Sequence, residues 1–280
     1  MIFSIVIPTR DRLPELMQCL HRLAPGAQTL PATDYEVIVT DDSPTENARA
    51  AIQTLPGVRY TAGPRRGPAA NRNRGAAQAR GDWLAFVDDD CVPDPGWLQG
   101  YARRIRQADA PRVCEGRTYA VGERRSCYET APVNEQGGHL WSCNFAIERA
   151  LFAALGGFDE RFPYAAMEDV DLRVRLERAG QPVAFEPAAA VLHPWRVESD
   201  LRRARRRHRE SVLVFNRLHP DRAVLRGERI YLLKRRLGRE FWQDLRRFGW
   251  EAVRYHSVAA LCDLADIRAY PAHRSVPGDK

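Results

Sequence analysis

The sequence predicts an α/β protein: a mainly parallel, doubly wound sheet with flanking helices, extended by a helical C-terminal appendage. Three observations lead there. Short, β-branched apolar runs alternate with stretches of helical periodicity through the first third of the chain. Two of those runs end in acidic clusters, Asp41-Asp42 and Asp88-Asp89-Asp90, and the carboxyl ends of strands are where such sheets bind ligands. The positive charge is gathered near the C-terminal end, beside two amphipathic stripes.

Residues 3–8 (FSIVIP) form an apolar, β-branched run closed by proline, the profile of a buried parallel strand. Leu13, Leu16, Met17, Leu20 and Leu23 then recur at helical spacing. Residues 35–40 (YEVIVT) read as a second buried strand, stopped by Asp41-Asp42-Ser43-Pro44. A helix over 48–55, a short strand over 58–62 and the Gly/Pro loop GPRRGP lead into an Ala-rich helix over 69–79. Residues 83–87 (WLAFV) are a further buried strand with the acidic triplet at its end, and Trp83, Phe86 and Phe145 read as core. A helix is expected over 96–107, a strand over 113–121, a polar mobile loop over 122–138 and a strand over 140–147. Helices over 149–155 and 170–179 are closed by Gly156-Gly157 and Gly180, with short apolar runs at 183–185 and 189–192 after them. Two long helices are expected from Ser199 onward. The division is a domain over 1–195 and a basic helical region over 196–280.

With 280 residues, 44% of them hydrophobic, the chain can bury one large α/β core and an appendage. The apolar N-terminus meets Arg10, Asp11 and Arg12 at once and has no basic leader, so it reads as a strand rather than a signal peptide. No window approaches the roughly 20 apolar residues of a spanning helix. The six cysteines contain no C-x-x-C pair and read as small core residues in a reducing cytosol. Many Arg, few Lys and 19 Pro suit a GC-rich bacterial genome. From Arg196 to Arg254, 18 Arg and Lys stand against 8 Asp and Glu; that segment carries +10 of the net +7, leaving −3 elsewhere.

Three adjacent carboxylates at a strand end repel one another unless something offsets the charge. A divalent cation does so, and Mg²⁺ or Mn²⁺ takes one or two carboxylates together with phosphate oxygens. Asp88 and Asp90 form a D-x-D able to face one ion from a turn; the alternative is a polar turn bonded to its own backbone. Glu168-Asp169 precedes a helix carrying Val170, Leu172, Val174 and Leu176, and an acidic pair there could simply cap the helix. Read jointly with the triplet, one carboxylate set holds a metal–diphosphate while another deprotonates an acceptor hydroxyl.

The order FSIVIPTRDR, VIVTDDSP, GPAANRNRGAAQARGDWLAFVDDD, CNFAIERALFAALGGFDERF and MEDVDLRVRL, over about residues 1–195, resembles the family 2 glycosyltransferases of the GT-A fold. The resemblance implies an inverting, Mn²⁺- or Mg²⁺-dependent transferase facing the cytosol. By position, Pro8, Thr9, Arg10 and Arg12 resemble the donor-nucleotide edge. Asp42, with Asp41 as its alternate, resembles the partner of the base N3–H, which favours uracil or thymine; a UDP-sugar is the expected donor. Asn71-Arg72-Asn73 resembles the A-R-N stretch near the nucleotide, with Asn in place of Ala. Asp88 and Asp90 match the D-x-D, Asp89 a ribose or sugar contact, and Asp169 the catalytic base, with Glu168 next to it. Trp141, Ser142 and Asn144 resemble the strand beside the donor sugar; Gly156-Gly157-Phe158-Asp159 resembles the acceptor-side loop. His193, 24 residues after Asp169, has two readings: a further metal ligand, as in some relatives, or a strand-end histidine bonded to backbone.

The expected partners are a nucleotide-sugar and a glycan or lipid-linked acceptor, with possible homodimer formation. In the basic segment, Leu201, Ala204, His208, Ser211, Val212, Phe215 and Leu218 form one stripe, and Ile230, Leu233, Leu237, Phe241, Leu245 and Phe248 another. The arginines on the other faces either meet water or contact an anionic membrane at the cytoplasmic side; no nucleic-acid module is present. Two rival functions stand beside the transferase. A sugar-1-phosphate nucleotidyltransferase would want a Gly-rich basic loop where PTRDR stands, and a non-catalytic nucleotide- or glycan-binding protein would share the motifs.

Overall fold

The computed structural model describes residues 1–45, 47–222 and 238–269. They divide into two compact units, residues 1–122 with 131–194, and residues 123–130 with 195–280.

The first unit begins with β1 (Phe3–Thr9), α1 (Leu13–Leu23), β2 (Tyr35–Asp41), α2 (Asn47–Ile52), β3 (Val58–Ala62), α3 (Pro68–Ala76) and β4 (Trp83–Val87). It continues with β5 (Val92–Pro93), α4 (Trp97–Arg104) and β6 (Val113–Tyr119); β7 (Glu129–Thr130) belongs to the second unit. The first unit then closes with β8 (Asn144–Glu148), α5 (Arg149–Ala154), α6 (Glu168–Arg178) and β9 (Ala184–Leu192). Eight strands form one sheet in the order β3-β2-β1-β4-β8-β6-β9-β5. The α/β prediction holds, and its parallel character belongs to β3-β2-β1-β4; β8 runs antiparallel to β4 and β6, β9 parallel to β6, and β5 antiparallel to β9.

Helices cover both faces because β1 is apolar on both. Phe3, Ile5 and Ile7 pack in one core with Leu16, Cys19 and Leu20 of α1 and Trp97 and Tyr101 of α4. Val6 turns to the other core, where Phe86, Phe145, Phe152 and Phe158 meet Leu172 and Leu176 of α6. Proline at its first position starts α3. Gly75 lets that helix lie close on β1, since a Cβ there would stand 2.5 Å from Val6 Cγ1. That approach carries Arg72 to the sheet edge.

Apart from Val183, the runs at 183–185 and 189–192 lie in one strand, β9. They look separate because the β6–β9 register slips between Gly116 and Arg117, opposite Pro187, which cannot donate to a ladder. Residues 140–143 lie outside β8, which starts at Asn144.

The second unit contains β10 (Arg196–Val197), α7 (Leu201–Leu218), α8 (Arg239–Phe248) and α9 (Trp250–Ala269). Asp200 caps α7 by accepting from Arg203 N–H at 2.9 Å. Among the described residues of this unit three helices stand where two were expected, because Gly249, at φ 56°, separates α8 from α9. In the first stripe Ser211, Val212 and Phe215 are buried and His208 is exposed. In the second, Phe241, Leu245 and Phe248 are half-buried, while Ile230, Leu233 and Leu237 lie outside the described residues.

Part of the expected loop at 122–138 belongs to this unit. β7 pairs antiparallel with β10, Arg124 pairs with Asp244, and Glu251 Oε1 accepts from Ser126 Oγ at 2.8 Å and Cys127 N–H at 2.6 Å. Those polar side chains have fixed partners more than 100 residues away, which no local pattern reveals. No helix among the described residues is long and apolar enough to cross a membrane.

Candidate active site

Because β1, β2 and β4 run parallel in adjacent register, Thr9, Asp41 and the acidic triplet emerge at one sheet edge. Thr9 Oγ1 donates to Asp89 Oδ2 at 2.8 Å. Arg12 Nη1 donates to Asp89 Oδ1 at 3.0 Å and lies 3.5 Å from Asp90 Oδ2. Burial pushes the Asp89 carboxyl up to about 6, against the pull of Arg12 and Thr9. The loop after β1 and the triplet are therefore one connected structure, and Asp89 is its anchor.

Arg72 ties that structure to α6. Its Nη2 donates to Asp88 Oδ1 at 2.7 Å and its Nη1 to Glu168 Oε1 at 3.0 Å, with the arginine 2% exposed. Glu168 is 1% exposed, whereas Asp169 beside it is half-buried. Asp169 Oδ1 accepts from Val170 N–H at 2.8 Å and Oδ2 from Ser142 N–H at 3.4 Å. Burial, then the neighbouring Asp169 charge, pushes Glu168 up to about 8; burial also raises Asp169.

A second cluster forms where β9 ends. His193 Nε2 lies 3.6 Å from Asp90 Oδ1, and with Cys91 Sγ their ligand atoms all fall within 4.8 Å of one another. His193 Nδ1 sits 2.8 Å from the Pro194 carbonyl, which can only accept, so Nδ1 carries a proton and Nε2 is the nitrogen that faces Asp90. The backbone contact of the second reading is present, and Nε2 stays turned toward Asp90. Of these donors the carboxylate suits either ion, and the imidazole favours Mn²⁺ over Mg²⁺, which prefers oxygen. Asp88 lies outside this group, engaged by Arg72.

Several other nominated residues are held in contacts within the fold. Asn144, expected beside the donor sugar, is 1% exposed and fully used. Its Oδ1 accepts from Trp97 Nε1 and Tyr101 Oη at 2.8 Å each, and its Nδ2 donates to Arg117 O at 2.9 Å and Ala189 O at 3.1 Å. Phe158, expected on the acceptor side, is 1% exposed and packs edge-on to Phe86 with centroids 5.3 Å apart. Asn73, expected near the nucleotide, clamps that same loop: Nδ2 donates to Phe158 O at 2.8 Å and Oδ1 accepts from Phe158 N–H at 2.9 Å. Gly157 sits at φ 72°, where a Cβ would lie 2.7 Å from Asn73 Oδ1, so it shapes the loop.

The remaining nominees stay at the sheet edge. Asp42 Oδ1 accepts from Arg65 N–H at 2.8 Å, and burial raises its carboxyl. Asp41 Oδ1 accepts from Ser43 N–H at 2.8 Å, with Tyr60 Oη 3.4 Å from Oδ2. Pro8 is buried within β1, and Arg10 is exposed, its Nε 3.7 Å from Asp11. Trp141 is half-buried and stacks on His139, centroids 4.6 Å apart.

One supporting residue escaped the sequence reading. Glu115, 3% exposed in β6, accepts from Asn134 Nδ2 and from the N–H groups of Gly138, His139 and Leu140, fixing the turn before Trp141. Its only trace is an acidic letter inside VCEGRTY. Among the described residues, the non-glycine positive φ values are at Asp11, Arg65, Leu140 and Met167; Asp11 precedes Arg12, the Arg65 N–H donates to Asp42, Leu140 precedes Trp141 and Met167 precedes Glu168.

Residues 4–155 match the sequence profile of glycosyl transferase family 2. The chain belongs to that family. The chain is 25% identical over 266 residues to a validoxylamine A glucosyltransferase of Streptomyces hygroscopicus subsp. jinggangensis, covering 79% of this chain and 61% of the relative. It is 27% identical over 215 residues to a pre-mycofactocin glycosyltransferase of Mycobacterium tuberculosis, covering 70% and 43%. The chain thus spans about three fifths or less of these relatives' length. Among solved structures, S. aureus TarS 1–349 superposes with a TM-score of 0.58 at 17% identity, covering 96% of this chain and 89% of TarS. The mannosyltransferase PcManGT of Pyrobaculum calidifontis, in complex with GDP-Man and Mn²⁺, superposes at 0.59 and 17% identity, covering 98% and 76%. Both likenesses establish the GT-A fold.

Proposed function

We propose that this glycosyltransferase inverts configuration as it moves a sugar from a nucleoside-diphosphate donor, UDP-linked by preference, to a hydroxyl of a glycan or lipid-linked acceptor. The observation that carries the reading is the Asp88–Arg72–Glu168 bridge, which joins the acidic strand end to the turn bearing Asp169. Asp169 is the proposed base: it is accessible, and burial raises its carboxyl, making it a stronger base than an ordinary Asp. Glu168, buried and bound to Arg72, is a positioning residue. Asp42 faces the base, and Thr9 and Arg12 steady Asp89 for a ribose or sugar contact. Asp90 and His193 would hold a divalent ion, Mn²⁺ before Mg²⁺, which supplies charge stabilisation to the leaving diphosphate when bound. The basic second unit is proposed to meet an anionic membrane at its cytoplasmic side, in keeping with a lipid-linked acceptor.

The test is a thermal-shift screen of nucleotide-sugars with and without Mn²⁺, followed by donor hydrolysis and anomer analysis of the product. Asp169→Asn is expected to retain the donor-induced shift and lose turnover. A variant that turns over normally would remove Asp169 as base, and a product of retained configuration would remove direct displacement.

A further inference from the structure

The outward faces of α8 and α9 carry side chains ill suited to water. On α8, Phe241, Asp244, Leu245 and Phe248 are buried or half-buried, while Arg239, Trp242, Gln243 and Arg246 recur at helical spacing on the opposite, exposed face. On α9, Ala252, His256 and Ala259 are buried, and Trp250, Arg254, Ser257 and Leu261 form the exposed stripe. Trp242 is 55% exposed and Trp250 81%. Neither stripe contains a carboxylate. The nearby acids are placed elsewhere: Asp244 lies 3.0 Å from His256 in the interior, and Glu251 accepts from Ser126 and Cys127. Glu240 falls on the flank of α8 with Arg247, which pairs with Glu123 at 2.7 Å.

Tryptophan is highly buried on average, so two exposed indoles eight residues apart require a reason. The headgroup layer of a bilayer supplies one: the apolar body of the ring meets acyl chains while its N–H stays in the wet layer. Arginine suits the same depth, its stem lying on apolar surface and its guanidinium on lipid phosphate. A helix with aromatic rings and arginines on one face and no acid between them therefore fits an anionic surface. A second copy of the chain fits less well, because self-docking of these stripes would bring Arg239 and Arg246 against like charges.

We infer that Trp242 and Trp250, flanked by Arg239, Arg246 and Arg254, are the side chains through which this unit enters the headgroup layer of an anionic membrane. Resting on the membrane contact proposed above, this surface makes indole insertion, rather than arginine charge alone, the hold on lipid. Charge alone is screened by salt, whereas buried apolar surface is not, so part of the binding should survive raised salt.

The test is co-sedimentation of the full chain with phosphatidylglycerol or phosphatidylcholine vesicles at low and raised salt, with tryptophan emission followed on the same samples. Trp242→Ser/Trp250→Ser is compared with Val197→Ser, which removes apolar surface from a 66% exposed position on β10 of the same unit. Melting temperatures and gel filtration check folding and oligomeric state. The parent chain is expected to bind phosphatidylglycerol, keep part of that binding at raised salt and shift its emission to the blue. The double tryptophan variant should lose about tenfold in binding together with the salt-resistant part, and Val197→Ser should stay within about twofold of the parent. Equal binding by the double variant, with the same salt dependence, would overturn the inference and leave a membrane contact carried by charge. Bound parent chain without a blue shift would do the same. Failure of the parent to bind phosphatidylglycerol at low salt would remove the membrane contact and the insertion together. A dimeric parent that becomes monomeric in the double variant would assign the stripes to a second copy and overturn the lipid assignment.

Discussion

Arg72 and Glu168 lie 96 residues apart in sequence and meet at 3.0 Å in the interior, where both are almost inaccessible to water. The contact links α3 to the first turn of α6 and thereby fixes the distance between the acidic strand end and Asp169. A bidentate cation is required, because the same guanidinium also holds Asp88.

Arg72→Met is expected to destabilise the protein by about 1–3 kcal/mol, since it leaves the Glu168 and Asp88 carboxyl groups without their donor. Arg72→Lys keeps the charge but cannot fork, and should lose much of the activity with a smaller loss of stability. Urea melts and steady-state rates on both variants check this. Adding Glu168→Gln to Arg72→Met should restore part of the stability; no restoration would show that the pair is not coupled.

The raised carboxyl of Glu168 predicts how stability depends on pH. A group that holds its proton more tightly when folded contributes fully below the ordinary Glu range, and that contribution fades as pH climbs to about 8. The parent protein should therefore lose stability between about pH 5 and 8, and Glu168→Gln should flatten the slope. Denaturant midpoints across that range decide the matter; a slope unchanged by Glu168→Gln contradicts it. Asp169 is also raised, so the acid limb of kcat/KM should lie above the ordinary Asp range near about 4.

Asn144 and Gly157 should behave as structural residues. Asn144→Leu leaves Trp97 Nε1 and Tyr101 Oη without their acceptor, costing about 2–4 kcal/mol for two buried donors. Gly157→Ala places a Cβ against Asn73 at positive φ, costing about 1–3 kcal/mol. Both should lower the melting temperature while leaving KM for the donor near the parent value in the cold. A large KM change without destabilisation would return Asn144 to the donor-sugar site.

Legibility in the sequence followed the range of the interaction. β1, β2 and β4 and their acidic ends were readable because apolar runs and turn residues are local signals. β9 was split into two runs because its bulge at Pro187 is set by pairing with β6, a contact about 70 residues away. The same range effect governs the site. Asp169 and Glu168 are adjacent letters, and only the reach of Arg72 shows which one is buried. Asn144 reads identically whether it faces a sugar or two ring donors, and only the packing of α4 against the sheet decides. His193 was placed by its spacing, but the nitrogen it turns toward Asp90 is set by the Pro194 carbonyl.

The metal prediction separates residues that the D-x-D pattern treats alike. Asp90 shares its cluster with His193 and Cys91, whereas Asp88 faces Arg72. Asp90→Asn and His193→Ala should each weaken Mn²⁺ binding by tenfold or more, since loss of a metal ligand or its orienting partner commonly costs about 10–100-fold. Asp88→Asn should leave Mn²⁺ affinity of the donor-free protein within a few fold and instead lower stability, by loosening the clamp on Arg72. Calorimetric Mn²⁺ titration, with melting curves on the same samples, reads both effects. Cys91→Ser adds a discriminating arm: if the thiol is a ligand, it should shift preference from Mn²⁺ toward Mg²⁺, because oxygen replaces a softer donor. Equal Mn²⁺ losses in Asp88→Asn and Asp90→Asn would restore the symmetrical D-x-D and move the ion toward Arg72. Unchanged Mn²⁺ affinity in His193→Ala, with a lowered melting temperature, would make the Pro194 contact its whole role.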